Sequence, residues 1–81
     1  MYYVYILKSQ LKNQIYIGST NNLNKRIKEH NSGKVFSTKP YKPWMLFYYE
    51  AYQYEISAKI REKKLKNHGN ALRELKKRIA L

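Results

Sequence analysis

The chain opens on an apolar run, Tyr2-Tyr3-Val4-Tyr5-Ile6-Leu7, crosses the polar stretch Ser9-Gln10-Leu11-Lys12-Asn13-Gln14, and returns to Ile15-Tyr16-Ile17. Short runs rich in Tyr, Val and Ile are strand formers, so the pair reads as a β-hairpin. No Asn-Gly or Asp-Gly turn stands between them, which predicts a longer loop. Alternation sends Tyr3, Tyr5 and Leu7 to one face of the first strand and Tyr2, Val4 and Ile6 to the other. Both faces are apolar, so both are expected to be covered.

From Asn22 to His30 the period lengthens. Leu23, Ile27 and His30 follow helical spacing, Asn21 or Asn22 is available as N-cap, and Asn31-Ser32-Gly33 ends the helix. Lys34 to Pro43 is basic, contains Pro40 and Pro43 and keeps no period, so it reads as an exposed loop. Trp44 to Tyr52, dense in aromatic residues and starting just after a proline, is the third strand. Tyr54 to Lys66 is helical, with Tyr54, Ala58 and Leu65 on one side and Ile56 and Ile60 on another, which predicts a helix wedged between layers. Asn67-His68-Gly69-Asn70 breaks it. Leu72, Leu75 and Ile79 then line one face of a last helix whose remainder carries Arg73, Lys76, Lys77 and Arg78. The order strand, strand, helix, strand, helix, helix gives an α+β fold.

At 81 residues the chain has the size of one domain, expected over 1–81. Its 17 Lys+Arg against 5 Asp+Glu give a net charge of +12, more than solubility requires. Clustered cations gain from counterion release on a polyphosphate, so a nucleic-acid partner is expected, DNA or else RNA. With no Cys there is no disulfide-linked partner and no thiolate metal site. The first strand lacks a basic leader and meets Lys8-Ser9-Gln10 at once, so it is expected to be neither signal peptide nor membrane span, and the location cytoplasmic.

Some residues point to chemistry without any comparison. If Lys8 faces Asn13 across a four-residue loop, Tyr5 faces Tyr16 and two phenols meet on one side of the hairpin. On the helical wheel Arg26 and His30 lie beside Leu23 and Ile27, towards the sheet, while Lys25, Lys28 and Glu29 point to solvent. Glu62 shares an inner face with Ala58, a costly place for a carboxylate without a cation, whether a metal ion or an i, i+4 lysine such as Lys66.

Tyr3-Val4-Tyr5, Tyr16-Ile17-Gly18, Arg26, His30 and Glu62, taken in order, resemble the GIY-YIG nuclease family over nearly the whole chain. The runs Tyr3-Val4-Tyr5-Ile6-Leu7, Pro43-Trp44 and Arg61-Glu62-Lys63 liken it to short bacterial members that are little more than this domain. The resemblance implies a small three-stranded antiparallel sheet flanked by about three helices, and a one-metal site that hydrolyses DNA phosphodiesters. By position Tyr5, Tyr16, Arg26 and His30 match the catalytic residues and Glu62 the metal carboxylate. Tyr3 and Val4 stand where the first motif reads Gly-Ile, Ser19 where some relatives carry a basic residue, and either Asn67 or Asn70 where many have a further Asn.

One carboxylate with waters and a substrate phosphate suits Mg²⁺ or Mn²⁺. Arg26 would neutralise charge on the phosphate oxygens, and Tyr5 or Tyr16 would take a proton from water if nearby cations lowered a phenol pKa of about 10, with His30 orienting it or relaying the proton. Lys34, Lys39 and Lys42, with Arg73, Lys76 and Lys77 of the last helix, would grip the backbone. The expected activity is a metal-dependent endonuclease of low sequence specificity, in DNA repair or processing. The competing readings are a DNA- or RNA-binding module without cleavage and, third, a basic last helix that docks on a membrane surface or a protein.

Overall fold

A computed structural model of the protein describes residues 1–67 and 69–81; His68, within the expected break, lies outside the described residues. The strands are β1 (Tyr2–Ser9), β2 (Ile15–Thr20) and β3 (Trp44–Tyr52), and the helices α1 (Leu23–Asn31), α2 (Glu55–Lys66) and α3 (Asn70–Ile79), in the order β-β-α-β-α-α. All strand pairs are antiparallel and the sheet order is β2-β1-β3. Among the described residues no helix is long and apolar enough to cross a membrane.

The two-faced apolarity of β1 puts it at the centre. Val4, Tyr5, Ile6 and Leu7 are each at most 1% exposed. Val4 and Ile6, with Ile17, pack under Ala58 and Leu65 of α2 and Leu72 and Leu75 of α3. Tyr5 and Leu7, with Trp44, pack against Leu23 and Ile27 of α1. One helix therefore covers one face of the sheet and two cover the other. Burying a Val, Leu or Ile side chain stabilises by about 1.5–3 kcal/mol.

The hairpin register differs from the expected one. Tyr5 pairs with Gly18 and Leu7 with Tyr16, so the two tyrosines are not directly opposite. The slip is by an even number of positions, so the side chains keep the predicted face. Its cause lies in the turn. The Ser9 hydroxyl accepts the N–H groups of Leu11 and Lys12 at 3.1 and 3.0 Å, and Ser9 N–H donates to the Gln14 carbonyl at 3.0 Å. This closes a longer loop without glycine and lets Lys8 pair with Ile15 rather than Asn13.

The second correction concerns α2, which is not wedged between layers. Tyr54, Ile56 and Ile60 are 68%, 66% and 51% exposed. Leu72 and Leu75 of α3 enter the same core as Ala58 and Leu65, so α3 lies beside α2 and leaves its outer side in solvent. The third concerns Lys34 to Pro43, where a 3₁₀ turn at Lys39–Tyr41 follows a fully buried Thr38. Asn31 ties this segment's end to α1, its amide donating to the Trp44 carbonyl and accepting from Trp44 N–H.

A polar anchor sets the position of α2. Arg61 donates to both carboxylate oxygens of Glu50 on β3 at 2.9 and 3.0 Å, and the Tyr48 and Tyr52 hydroxyls donate to the same group. Burial pushes the Glu50 carboxyl up, but Arg61 and the two phenols outweigh it and hold the group below the usual range. Replacing Glu50→Gln leaves Arg61 without its charged partner, which should cost about 2 kcal/mol. Urea unfolding is expected to show this, whereas Glu74→Gln, at an exposed contact of 3.9 Å to Lys77, should move stability by under about 0.5 kcal/mol.

Candidate active site

Tyr5 of β1 and Tyr16 of β2 point to the face covered by α1, with ring centroids 6.2 Å apart. Glycine at position 18 makes room for this. A Cβ there would fall 2.6 Å from the Tyr5 hydroxyl oxygen, 2.8 Å from its Cζ and 2.9 Å from Cε2 of Tyr16. The phenol of Tyr5 thus lies across the space that a side chain opposite it would fill.

Its hydroxyl then meets His30, which α1 turns fully inward. The Tyr5 oxygen is 2.9 Å from Nε2 of His30, and Nδ1 is 2.8 Å from Oγ1 of Thr38. The Thr38 hydroxyl donates to the Val35 carbonyl at 3.3 Å, so it accepts from Nδ1–H and leaves Nε2 to accept from Tyr5. Indole Nε1 of Trp44 donates to the Thr38 carbonyl at 2.9 Å and fixes the far end of this chain. Thr38 was not among the expected site residues. Its role depends on how the loop folds back over His30, and nothing local to the sequence reveals that.

Burial pulls the His30 imidazole down to about 4, assisted by Arg26 and opposed by Glu29. Tyr5 departs from expectation. Burial pushes its phenol up to about 12, with Arg26 acting in the opposite direction and Tyr16 adding to the rise. Desolvation outweighs the neighbouring cation, so the resting pair is a neutral phenol donating to a neutral imidazole.

Arg26 sits one turn before His30, positioned by Asn22, whose side chain accepts Lys25 N–H at 3.1 Å as the N-cap. The guanidinium is half-buried and donates to Glu29 at 3.1 Å, so Glu29 is not directed wholly to solvent as the helical wheel implied. Glu62 approaches from the other face of the sheet, around the β2 edge. Ser19 donates to its Oε1 at 2.6 Å and Lys66 to its Oε2 at 2.8 Å. Burial raises the carboxyl, but Lys66 and Ser19 outweigh it and hold it below the usual range. Lys66 also lies 5.8 Å from the Tyr16 ring centroid, so a cation reaches the site although Ser19 brings none.

The six basic residues expected to grip a backbone do not form one patch. Lys34, Lys39 and Lys42 lie on the loop that packs against α1. Arg73, Lys76 and Lys77 lie on α3, across the sheet, where Arg73 donates to Asn70 at 2.9 Å. Of the two asparagines considered, Asn67 caps the end of α2 and Asn70 opens α3.

The domain is that of a nuclease family. The GIY-YIG catalytic domain matches residues 1–78, and the chain belongs to that family. It is similar to a UPF0213 protein of Clostridium perfringens, 44% identical over 76% of this chain and 67% of the relative. A UPF0213 protein of Staphylococcus haemolyticus is 39% identical over 80% of this chain and 90% of the relative. The solution NMR structure of the UPF0213 protein BH0048 from Bacillus halodurans superposes with a TM-score of 0.55 at 31% identity, covering 93% of this chain and 81% of that one.

Two outcomes follow from the geometry. Gly18→Ala forces the Tyr5 phenol off His30 at an overpacking cost of about 1–3 kcal/mol; a folded variant with altered Tyr5 and His30 ring resonances in NMR spectra is expected. The unfolded chain protonates its imidazole near 6.5 and the folded chain only near 4, so between these values the unfolded state binds more protons. Stability contributed by neutral His30 is therefore lost as pH falls through that window. The thermal midpoint should drop from pH 7 to 4.5, and His30→Asn should flatten that drop.

Proposed function

We propose that the protein is a metal-dependent endonuclease that hydrolyses phosphodiester bonds in DNA with little sequence preference. The observation that carries this reading is the Tyr5–His30–Thr38 chain of hydrogen bonds, at 2.9 and 2.8 Å. A buried phenol is linked to a buried acceptor of the right tautomer, beside Arg26 and within the field of Glu62.

Glu62 suits a hard divalent cation. It is a partly exposed carboxylate, with 15% of its side chain accessible, and its counter-ion Lys66 is a half-exposed i+4 lysine that can swing away. Among the described residues no group of three or more His, Cys, Asp or Glu offers a different site. Glu62, with Ser19 keeping Oε1 oriented, would hold Mg²⁺ or Mn²⁺, which when bound supplies Lewis-acid stabilisation of the phosphate and leaving oxygen. Arg26 neutralises charge growing on the non-bridging oxygens. Tyr5 accepts the proton of the attacking water as its own passes to Nε2 of His30, so no free phenolate forms, although burial makes that imidazole a weak base. Tyr16, whose ring packs 4.7 Å from that of His30, orients the pair. Lys34, Lys39 and Lys42 bind backbone phosphates on the loop side, and Arg73, Lys76 and Lys77 provide a second contact on α3.

The second reading, binding of DNA or RNA without cleavage, draws on the Glu62–Lys66 ion pair, which already neutralises the carboxylate. Incubation of supercoiled plasmid with Mg²⁺ or Mn²⁺ separates the two. Nicking that disappears with EDTA, in Tyr5→Phe and in Glu62→Ala is the expected result. Salt-sensitive binding with no nicking of plasmid, single-stranded or branched DNA would leave the binding module.

A further inference from the structure

Phe36 is 91% exposed, more than any other large apolar side chain among the described residues. It stands at the crown of a turn in which the N–H groups of Thr38 and Lys39 donate to the Val35 carbonyl at 3.2 and 3.0 Å. The base of that turn is fixed, because Thr38 is held by His30 through Oγ1 and by Trp44 through its carbonyl. The ring therefore projects from a rigid support, and a ligand that meets it incurs little ordering cost.

The loop that carries it is basic, with Lys34, Lys39 and Lys42. Gly33 takes a φ of +83°, which favours glycine, and two lysines lie beside it: from the position of a Cβ there, Lys42 Nζ is 3.5 Å and Lys39 Cγ 3.6 Å away. Lys34 follows in sequence, and no acidic residue occurs between Glu29 and Glu50. A bare aromatic ring on a basic loop is complementary to a ligand that is both polyanionic and flat-faced. Unstacked nucleic acid has both properties, its phosphates meeting the lysines and a base covering the ring. In a continuous duplex the base faces are already stacked on one another, so the ring has nothing to cover it.

We propose that Phe36 is a base-stacking platform, and that the preferred substrate is DNA with an unpaired base beside the scissile phosphate: a single strand, flap or junction. The proposal rests on the nuclease reading above and names its substrate class. Phe36 precedes Thr38 by two residues, within about 7 Å from Cα to Cα for an extended chain, and Thr38 touches His30. Phe36 thus stands on the loop that closes over His30, on the α1 side of the sheet where Tyr5 and Arg26 lie.

The test is fluorescence anisotropy with a fluorescein-labelled single-stranded oligonucleotide and its duplex, in EDTA so that nothing is cut. Phe36→Ala should weaken single-strand binding about 10-fold or more and duplex binding less than about twofold. The slope of log affinity against log salt should stay unchanged, while Lys39→Ala lowers it by about 0.7. Phe36→Trp should retain single-strand affinity, with its indole fluorescence quenched on binding. Equal losses on both DNAs, no loss on either, or a Phe36-dependent self-association would overturn the platform. If the wild type still binds and nicks DNA, the nuclease reading survives that failure. If it binds neither oligonucleotide, both fall.

Discussion

A buried hydroxyl needs a partner, and in this fold the partner of Tyr5 decides where the rest of the site goes. Tyr5 sits on the central strand and is only 1% exposed, so its phenol needs a protein acceptor, and α1 brings one to 2.9 Å. His30 is that acceptor, and it needs its own donor fixed in turn. Thr38 meets this need, and Trp44 holds Thr38, so one hydrogen bond extends into a chain that orders α1, the following loop and the start of β3. The tautomer of the histidine, the orientation of the phenol and the path of the loop are one linked choice.

The second half of the site depends on α2, which lies over the opposite face. Consecutive residues of this helix reach in opposite directions. Arg61 grips Glu50 towards β3, and Glu62 meets Ser19 at the β2 edge. The first contact is bidentate and partly buried, so it fixes the rotation of the helix. The second places a carboxylate whose charge is felt at Tyr5 across the sheet edge. The surplus of positive charge bears on both ends, since Lys66 covers the carboxylate and Lys34, Lys39 and Lys42 flank the loop that carries Phe36.

Much of this was legible along the chain. The two-faced apolar run of β1 implied a central strand because both of its surfaces must leave water, and the change from a period of two to 3.6 located α1. The family motifs supplied Tyr5, Tyr16, Arg26, His30 and Glu62 in order, and the family itself matches residues 1–78. The register was not legible, because the Ser9 turn replaces a glycine turn with side-chain hydrogen bonds that no dipeptide signals. Nor was the exposure of Ile56 and Ile60, since periodicity counts apolar faces without saying how many have a partner.

The sequence by itself determined the elements, their order, the charge and the identity of the residues that could do chemistry, because these depend on local period and composition. Tertiary structure decided what those residues touch. Thr38 orients His30, Gly18 yields its space to the phenol of Tyr5, Lys66 and Ser19 share Glu62, and the basic residues divide between two faces. Each of these contacts joins positions far apart in the chain, and their pKa values follow from desolvation and neighbouring charge, which exist only once the layers have packed.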